Sequence, residues 1–154
     1  MVNLEDIKEL RDKTGVSVAY CKKALEESQG DIIKAMEVLT RESTEIAEKK
    51  ASRELNAGTL DAYVHANKST AVLIDLRSET DFVSKNEEFV ALAHDIAIHI
   101  AAVNPSSLDE LMAQEYVKDY SITVNELVKK AIQKFGENIK VAKFVRYSLT
   151  DPAS

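Results

Sequence analysis

Apolar residues recur at helical spacing through the first forty positions. Leu4, Ile7 and Leu10 share one face behind Asn3, a residue suited to capping a helix, and Thr14-Gly15 ends that helix. Ser17 can cap a second helix carrying Val18, Cys21, Ala24 and Leu25, which Gly30 ends. Asp31 caps a third, with Ile32, Ala35, Met36 and Leu39 on its inner stripe. Three helices of about ten residues with short turns make a compact bundle whose core alone is only marginally stabilising. The pattern then changes. Arg41 to Glu54 is charged nearly all round, with Glu45 and Lys49 four apart in the favourable order. A helix polar on all faces often bridges two domains, and Leu55-Asn56-Ala57-Gly58 breaks it.

From residue 57 onward the period shortens to two. Leu60, Ala62, Val64 and Ala66 fall on one side of a strand, with Asp61, Tyr63 and His65 on the other. Asn67-Lys68-Ser69 makes a turn, and Val72, Ile74 and Leu76 alternate along the next strand, Ala71 to Arg77. This reads as an antiparallel hairpin. Ser84 with Glu87 gives a capping-box signature for a helix striped by Phe89, Ala93, Ile96, Ala97, Ile100 and Ala101, which stops at Asn104-Pro105. Ser107 with Glu110 marks a short helix. Thr123 with Glu126 opens another, carrying Leu127, Val128, Ala131, Ile132 and Phe135 and closed by Gly136. Ile139, Val141, Val145, Tyr147 and Leu149 alternate along a third strand, and Thr150 to Ser154 form a loose end. The fold class is α+β: a three-helix domain over 1–40, a connector helix over 41–56, and a core over 57–154 in which helices cover a three-stranded antiparallel sheet.

Charge narrows the partners. The net charge is −6, and acidic residues outnumber basic ones on both sides of Asn56. The electrostatic footprint of wholesale nucleic-acid or anionic-membrane binding is missing. A lone cysteine, Cys21, allows no internal disulfide and suits a cytoplasmic setting; it reads as a small buried apolar residue. The start of the chain resembles neither a signal nor a transit peptide. His94 and His99, five apart, do not share a helix face and are poor joint metal ligands. No Gly-rich phosphate loop, nucleophile elbow or paired-carboxylate site stands out, so no catalytic machinery, metal or cofactor is expected.

The stretch Ser78-Glu79-Thr80-Asp81-Phe82-Val83-Ser84-Lys85-Asn86 ends a strand and starts a helix. A phenyl ring in such a loop is either a lid on the local core or a plug for another protein's pocket, and the residues alone leave both open. On the same grounds Lys22 and Lys23 read as a solvated helix face.

The three short helices resemble a ubiquitin-associated (UBA-type) domain. The string Leu10-Arg11, Thr14-Gly15, Cys21-Lys22-Lys23-Ala24-Leu25, Gly30-Asp31 and Lys34-Ala35 is more specific. With Glu79-Thr80-Asp81-Phe82-Val83, Asn86, His94 to Ala102 and Gly136-Glu137-Asn138-Ile139, it resembles translation elongation factor Ts over essentially the whole chain. There are departures. Val16-Ser17-Val18-Ala19 stands where the family often has methionines, and Ser78 replaces its usual Cys. Only about ten residues separate Pro105 from Gln114-to-Asp119, where the family usually inserts a coiled-coil hairpin. Relatives of this short type form homodimers that rebuild a two-lobed core.

The resemblance implies a guanine-nucleotide exchange factor for elongation factor Tu, without chemistry, nucleotide or metal of its own and without direct contact to nucleic acid or membrane. It places Asp81 and Phe82, flanked by Thr80 and Val83, beside the Mg²⁺ and phosphate end of the partner's nucleotide site. Lys22 matches a contact to the GTPase domain. Phe135 and Gly136 match a position supporting the wedge, although helix end plus cap explains them equally well. His65, Val117 and Lys118 align with positions touching the partner's third domain. Two competing readings are an adaptor that binds a peptide or ubiquitin-like partner through residues 1–40, and a small enzyme lacking any recognisable constellation.

Overall fold

A computed structural model describes residues 2–151. The chain forms two compact units, divided between Ser52 and Arg53, with Lys129–Gly136 belonging to the first.

The first unit opens with helix α1 (Leu4–Thr14). The Asn3 side chain accepts the Glu5 N–H at 2.9 Å at its start, and Gly15, at φ 70°, returns its own N–H to Arg11 at its end. Helix α2 (Val18–Glu27) closes through Gly30, whose N–H reaches the Leu25 carbonyl at 2.8 Å. Asp31 caps α3 (Ile32–Lys50) by accepting from the Lys34 N–H. Ile7, Leu10, Val16, Cys21, Ala24, Leu25, Ala35, Val38 and Leu39 form one core, with Ile32 and Met36 at its edge. Cys21 lies inside it, and burial pushes its thiol up, away from the reactive thiolate.

Helix α3 departs from the sequence pattern. It runs unbroken through the point where the third short helix and the connector separate in the sequence. Its second half has a buried face of Glu42, Ser43 and Ala47. The Ser43 hydroxyl donates to the Gln133 side chain, Lys129 Nζ reaches Thr44 Oγ1, and Lys50 Nζ donates to the Gly136 carbonyl at 3.0 Å. Glu42 hides this face from a reading by polarity. Its carboxylate is buried and held by Lys23 at 2.6 Å, so a charged letter occupies an inward position.

The second unit holds an antiparallel sheet in the order β1 (Ala57–Val64), β2 (Thr70–Ser78), β5 (Lys140–Ser148). The β1–β2 register runs from Ala57 opposite Ser78 to Val64 opposite Ala71. Helix α5 (Glu87–Val103) covers the side bearing Val72, Ile74 and Leu76, and contributes Phe89, Ala93, Ile96, Ala97 and Ile100. Pairing places Thr59, Asp61 and Tyr63 of β1 on that same side. The apolar residues of β1, Leu60 and Val64, therefore face away from the helix and stay exposed, with Leu73, Val145 and Tyr147.

Three local features differ from the sequence pattern. A one-turn helix, α4 (Asp81–Ser84), follows β2, and Asn86 rather than Ser84 caps α5, accepting the Glu88 N–H at 2.8 Å. After α6 (Leu108–Ala113) comes a small hairpin, β3 (Glu115–Tyr116) and β4 (Asp119–Thr123), too short to show a period. Thr123 then caps α7 (Val124–Phe135) through the Glu126 N–H, and Gly136 ends it at φ 72°. The loose end assigned to Thr150 through Ser154 falls partly outside the described residues; Asp151 N–H still bonds the Ser148 carbonyl at 3.0 Å.

Candidate functional site

Strand β2 ends in a tightly tied turn. The Ser78 side chain is fully buried and its hydroxyl donates to the Thr80 carbonyl at 3.0 Å. Thr80 Oγ1 caps α4 by accepting the Val83 N–H. The Ser84, Lys85 and Asn86 N–H groups return to Thr80, Asp81 and Val83 carbonyls at 3.0–3.1 Å. One helical turn results, and it sorts adjacent side chains. Val83 is 5% exposed, while Phe82 is 87% exposed, with Asp81 also in solvent. The lid on the local core is Val83. The phenyl ring is held outward, in solvent, where folding gains nothing from its burial.

Groups distant in sequence hold this turn. Glu137 Oε1 accepts the N–H of Glu79 at 3.1 Å and of Thr80 at 3.0 Å, and its Oε2 accepts the Thr80 hydroxyl at 2.7 Å. Glu79 reciprocates, its carboxylate accepting the Asn138 N–H at 2.6 Å and lying 3.7 Å from Arg53. Asn138 is itself buried, and its side chain donates to the Arg53 carbonyl. Sequence reasoning matched Glu137 and Asn138 only as part of a string and gave Glu79 no role. An acidic residue after a helix-ending glycine carries no local signal of what it will bind.

Within the second unit, His65, Val117 and Lys118 lie outside the turn. His65 lies in the β1–β2 connection, at the opposite end of that hairpin, where its Nδ1 is 2.9 Å from the Tyr63 hydroxyl. Val117 and Lys118 form the tip of the β3–β4 hairpin. The Val117 N–H donates to Nδ1 of His99 at 3.1 Å, and Lys118 pairs with Asp95 at 2.6 Å. His99 Nε2 is 2.9 Å from Gln114 Oε1, so the buried ring accepts at Nδ1 and donates at Nε2, linking the Val117 backbone to the Gln114 side chain. Burial lowers its pKa from the ordinary 6.5. Beside it, burial and the carboxylates of Asp95 and Asp119 push the Tyr116 phenol up to about 12. Sequence reasoning gave His99 no part in this hairpin, since fifteen residues separate it from Gln114. Lys22 belongs to the first unit, exposed on α2 with Glu26 at 3.8 Å. Phe135 is the last residue of α7, partly buried, with the Lys134 ammonium 6.0 Å from its ring centre.

The site thus offers an aromatic ring and a carboxylate on a braced turn. Among the described residues no group of three or more His, Cys, Asp and Glu side chains could hold a metal, and no helix is long and apolar enough to cross a membrane.

Comparison with known proteins gives the family. Residues 79–153, beginning at this turn, match the family model described as Elongation factor TS. Elongation factor Ts of Thermosipho melanesiensis is 36% identical over 97% of this chain and 99% of its own length. That of Herpetosiphon aurantiacus is 31% identical over 96% and 98%. That of Aquifex aeolicus is 41% identical over 97% of this chain but 53% of its own length. The chain belongs to the elongation factor Ts family, whose members are nucleotide exchange factors for elongation factor Tu in translation rather than catalysts of a reaction of their own. The Thermosipho alignment runs over 194 residues against a chain of 154, so that relative carries residues with no counterpart here.

Proposed function

We propose that this chain acts as a guanine-nucleotide exchange factor for elongation factor Tu, and that the turn Thr80–Val83 is its working element. The supporting observation is the outward Phe82 ring beside Asp81 on a turn tied at both ends. The logic is linkage. A protein that binds the nucleotide-free GTPase more tightly than the GDP-bound form must weaken GDP binding by the same factor. Phe82 enters the partner beside the Mg²⁺ and phosphate end of its nucleotide site, Asp81 adds a negative charge there, and the contacts to Mg²⁺ and phosphate loosen. GTP then refills the site. A turn already folded before docking keeps the ordering cost of this insertion low.

Other surfaces complete the reading. Residues 1–40 act as a UBA-type domain whose Lys22 meets the GTPase domain. The hairpin tip Val117-Lys118 and His65 meet the third domain, and Phe135-Gly136 adds a further contact to the partner. The apolar side of the sheet, with Leu60 67% and Tyr147 73% exposed, is covered by a second copy of the chain. Longer relatives such as the Aquifex protein have nearly twice this chain's length, room for a second core that a homodimer of the short chain would supply. The action is cytoplasmic, with no direct contact to nucleic acid or membrane. The test is release of a fluorescent GDP analogue from elongation factor Tu. Substoichiometric protein accelerates release many-fold if the reading holds; a rate equal to the spontaneous one refutes it.

A further inference from the structure

Strand β2 ends at Ser78, and α4 begins at Asp81. The N–H groups of Glu79 and Thr80 fall between them, where neither the sheet ladder nor the helix supplies an acceptor. One carboxylate, from a residue more than fifty positions away, accepts both, and its second oxygen accepts the Thr80 hydroxyl. Charge-assisted bonds of this kind are roughly twice as strong as neutral ones. The hydroxyl so held is the one that caps α4. Glu137 therefore fixes the residue that sets the direction of the turn. The Phe82 ring has no packing of its own to orient it, since it is almost wholly exposed.

We propose that Glu137 is the positioning residue of the exchange wedge: it holds the Phe82 turn in its docking geometry without touching the partner's nucleotide site. The inference rests on the exchange reading for its functional arm and on geometry for its structural arm. Glu79 acts in the same brace from the opposite side, gripping the Asn138 N–H next to Glu137. The two carboxylates therefore bind each other's backbone segments crosswise.

The chain contains no tryptophan, so Phe82→Trp places a single fluorescent reporter on the turn. In that background Glu137→Ala lowers the anisotropy of the reporter, whereas Glu137→Gln, which keeps an oxygen for both N–H groups but loses the acceptor for the Thr80 hydroxyl, lowers it less. In the chain with native Phe82, Glu137→Ala slows stimulated GDP release by about tenfold, the worth of one charge-assisted bond. Glu137→Gln, which keeps an acceptor for the two N–H groups but loses the charge and the acceptor for the Thr80 hydroxyl, falls between the parent and Glu137→Ala. In a Phe82→Ala background Glu137→Ala costs nothing further, because its effect runs through the ring. Unchanged anisotropy in the Glu137→Ala chain overturns the proposal, as does the same loss of rate with Phe82 absent. If the parent protein fails to stimulate release at all, the exchange reading falls, and the anisotropy comparison still decides whether Glu137 holds the turn.

Discussion

Phe82 and Val83 are consecutive residues on a single helical turn, and they point in opposite directions: Val83 is 5% exposed and Phe82 87%. Their contributions to stability should divide the same way. Val83→Ala removes buried methyl groups and costs about 2 kcal/mol by denaturant titration. Phe82→Ala removes a ring that folding never buried, and leaves the unfolding midpoint within experimental scatter of the parent. A strong destabilisation by Phe82→Ala would return the ring to the role of a lid.

The His99 bridge makes the β3–β4 hairpin sensitive to acid. Folded, this imidazole accepts the Val117 N–H at Nδ1, and burial lowers its pKa from 6.5. The other groups around it are the Gln114 amide and the Tyr116 ring, with Asp95 of α5 and Lys118 and Asp119 of the hairpin as nearby charges. Well above pH 6.5 the ring is neutral in both the folded and the unfolded chain, and it adds no slope. Below that value the unfolded chain takes up the proton first, so stability falls as pH drops towards the folded value. As the pH is lowered through 6.5, the urea midpoint of the native protein should fall more steeply than that of His99→Gln. Parallel curves would remove His99 from the account.

The open side of the sheet gives a prediction about assembly. Leu73 lies at the centre of that side, on the middle strand, paired with Ala62 on one neighbour and Val145 on the other. Leu73→Lys buries an ammonium in any face-to-face sheet contact, which costs several kcal/mol, and exposes it harmlessly in a monomer. Sedimentation velocity should show a dimer for the native chain and a monomer for the variant. A native chain that sediments as a monomer at high concentration would contradict the second-copy reading.

Much of this architecture is legible in the sequence because local rules and burial agree there. Asn3, Asp31, Ser107 and Thr123 cap helices where their side chains suggest, and Gly15, Gly30 and Gly136 end them at positive φ. Strand β5 breaks the alternation its letters suggest: a register shift opposite Asp75 and Leu76 leaves Val141 on the covered side and turns Val145 and Tyr147 to the open one. What failed to show is what tertiary pairing decides. The buried face of α3 is concealed by Glu42, since a carboxylate reads as solvent-facing until its Lys23 partner is known. Nor could alternation along β1 say which side the helix would cover, and Thr59, Asp61 and Tyr63 took the covered side. At the candidate site the Asp81-Phe82 pair was visible, but whether the ring pointed in or out was not. The braces from Glu137 and Glu79 were beyond reach, because each depends on a backbone N–H more than fifty residues away.

The most direct measurement is the rate of release of a fluorescent GDP analogue from purified elongation factor Tu, with native protein and with Phe82→Ala at equal, substoichiometric concentration. The account predicts rapid catalytic release with the native chain. It predicts a loss of about 30-fold for the variant, the equivalent of ~2 kcal/mol for one aromatic anchor, with circular dichroism unchanged. A variant as fast as the native chain would contradict it, and would place the work of exchange somewhere other than the outward turn.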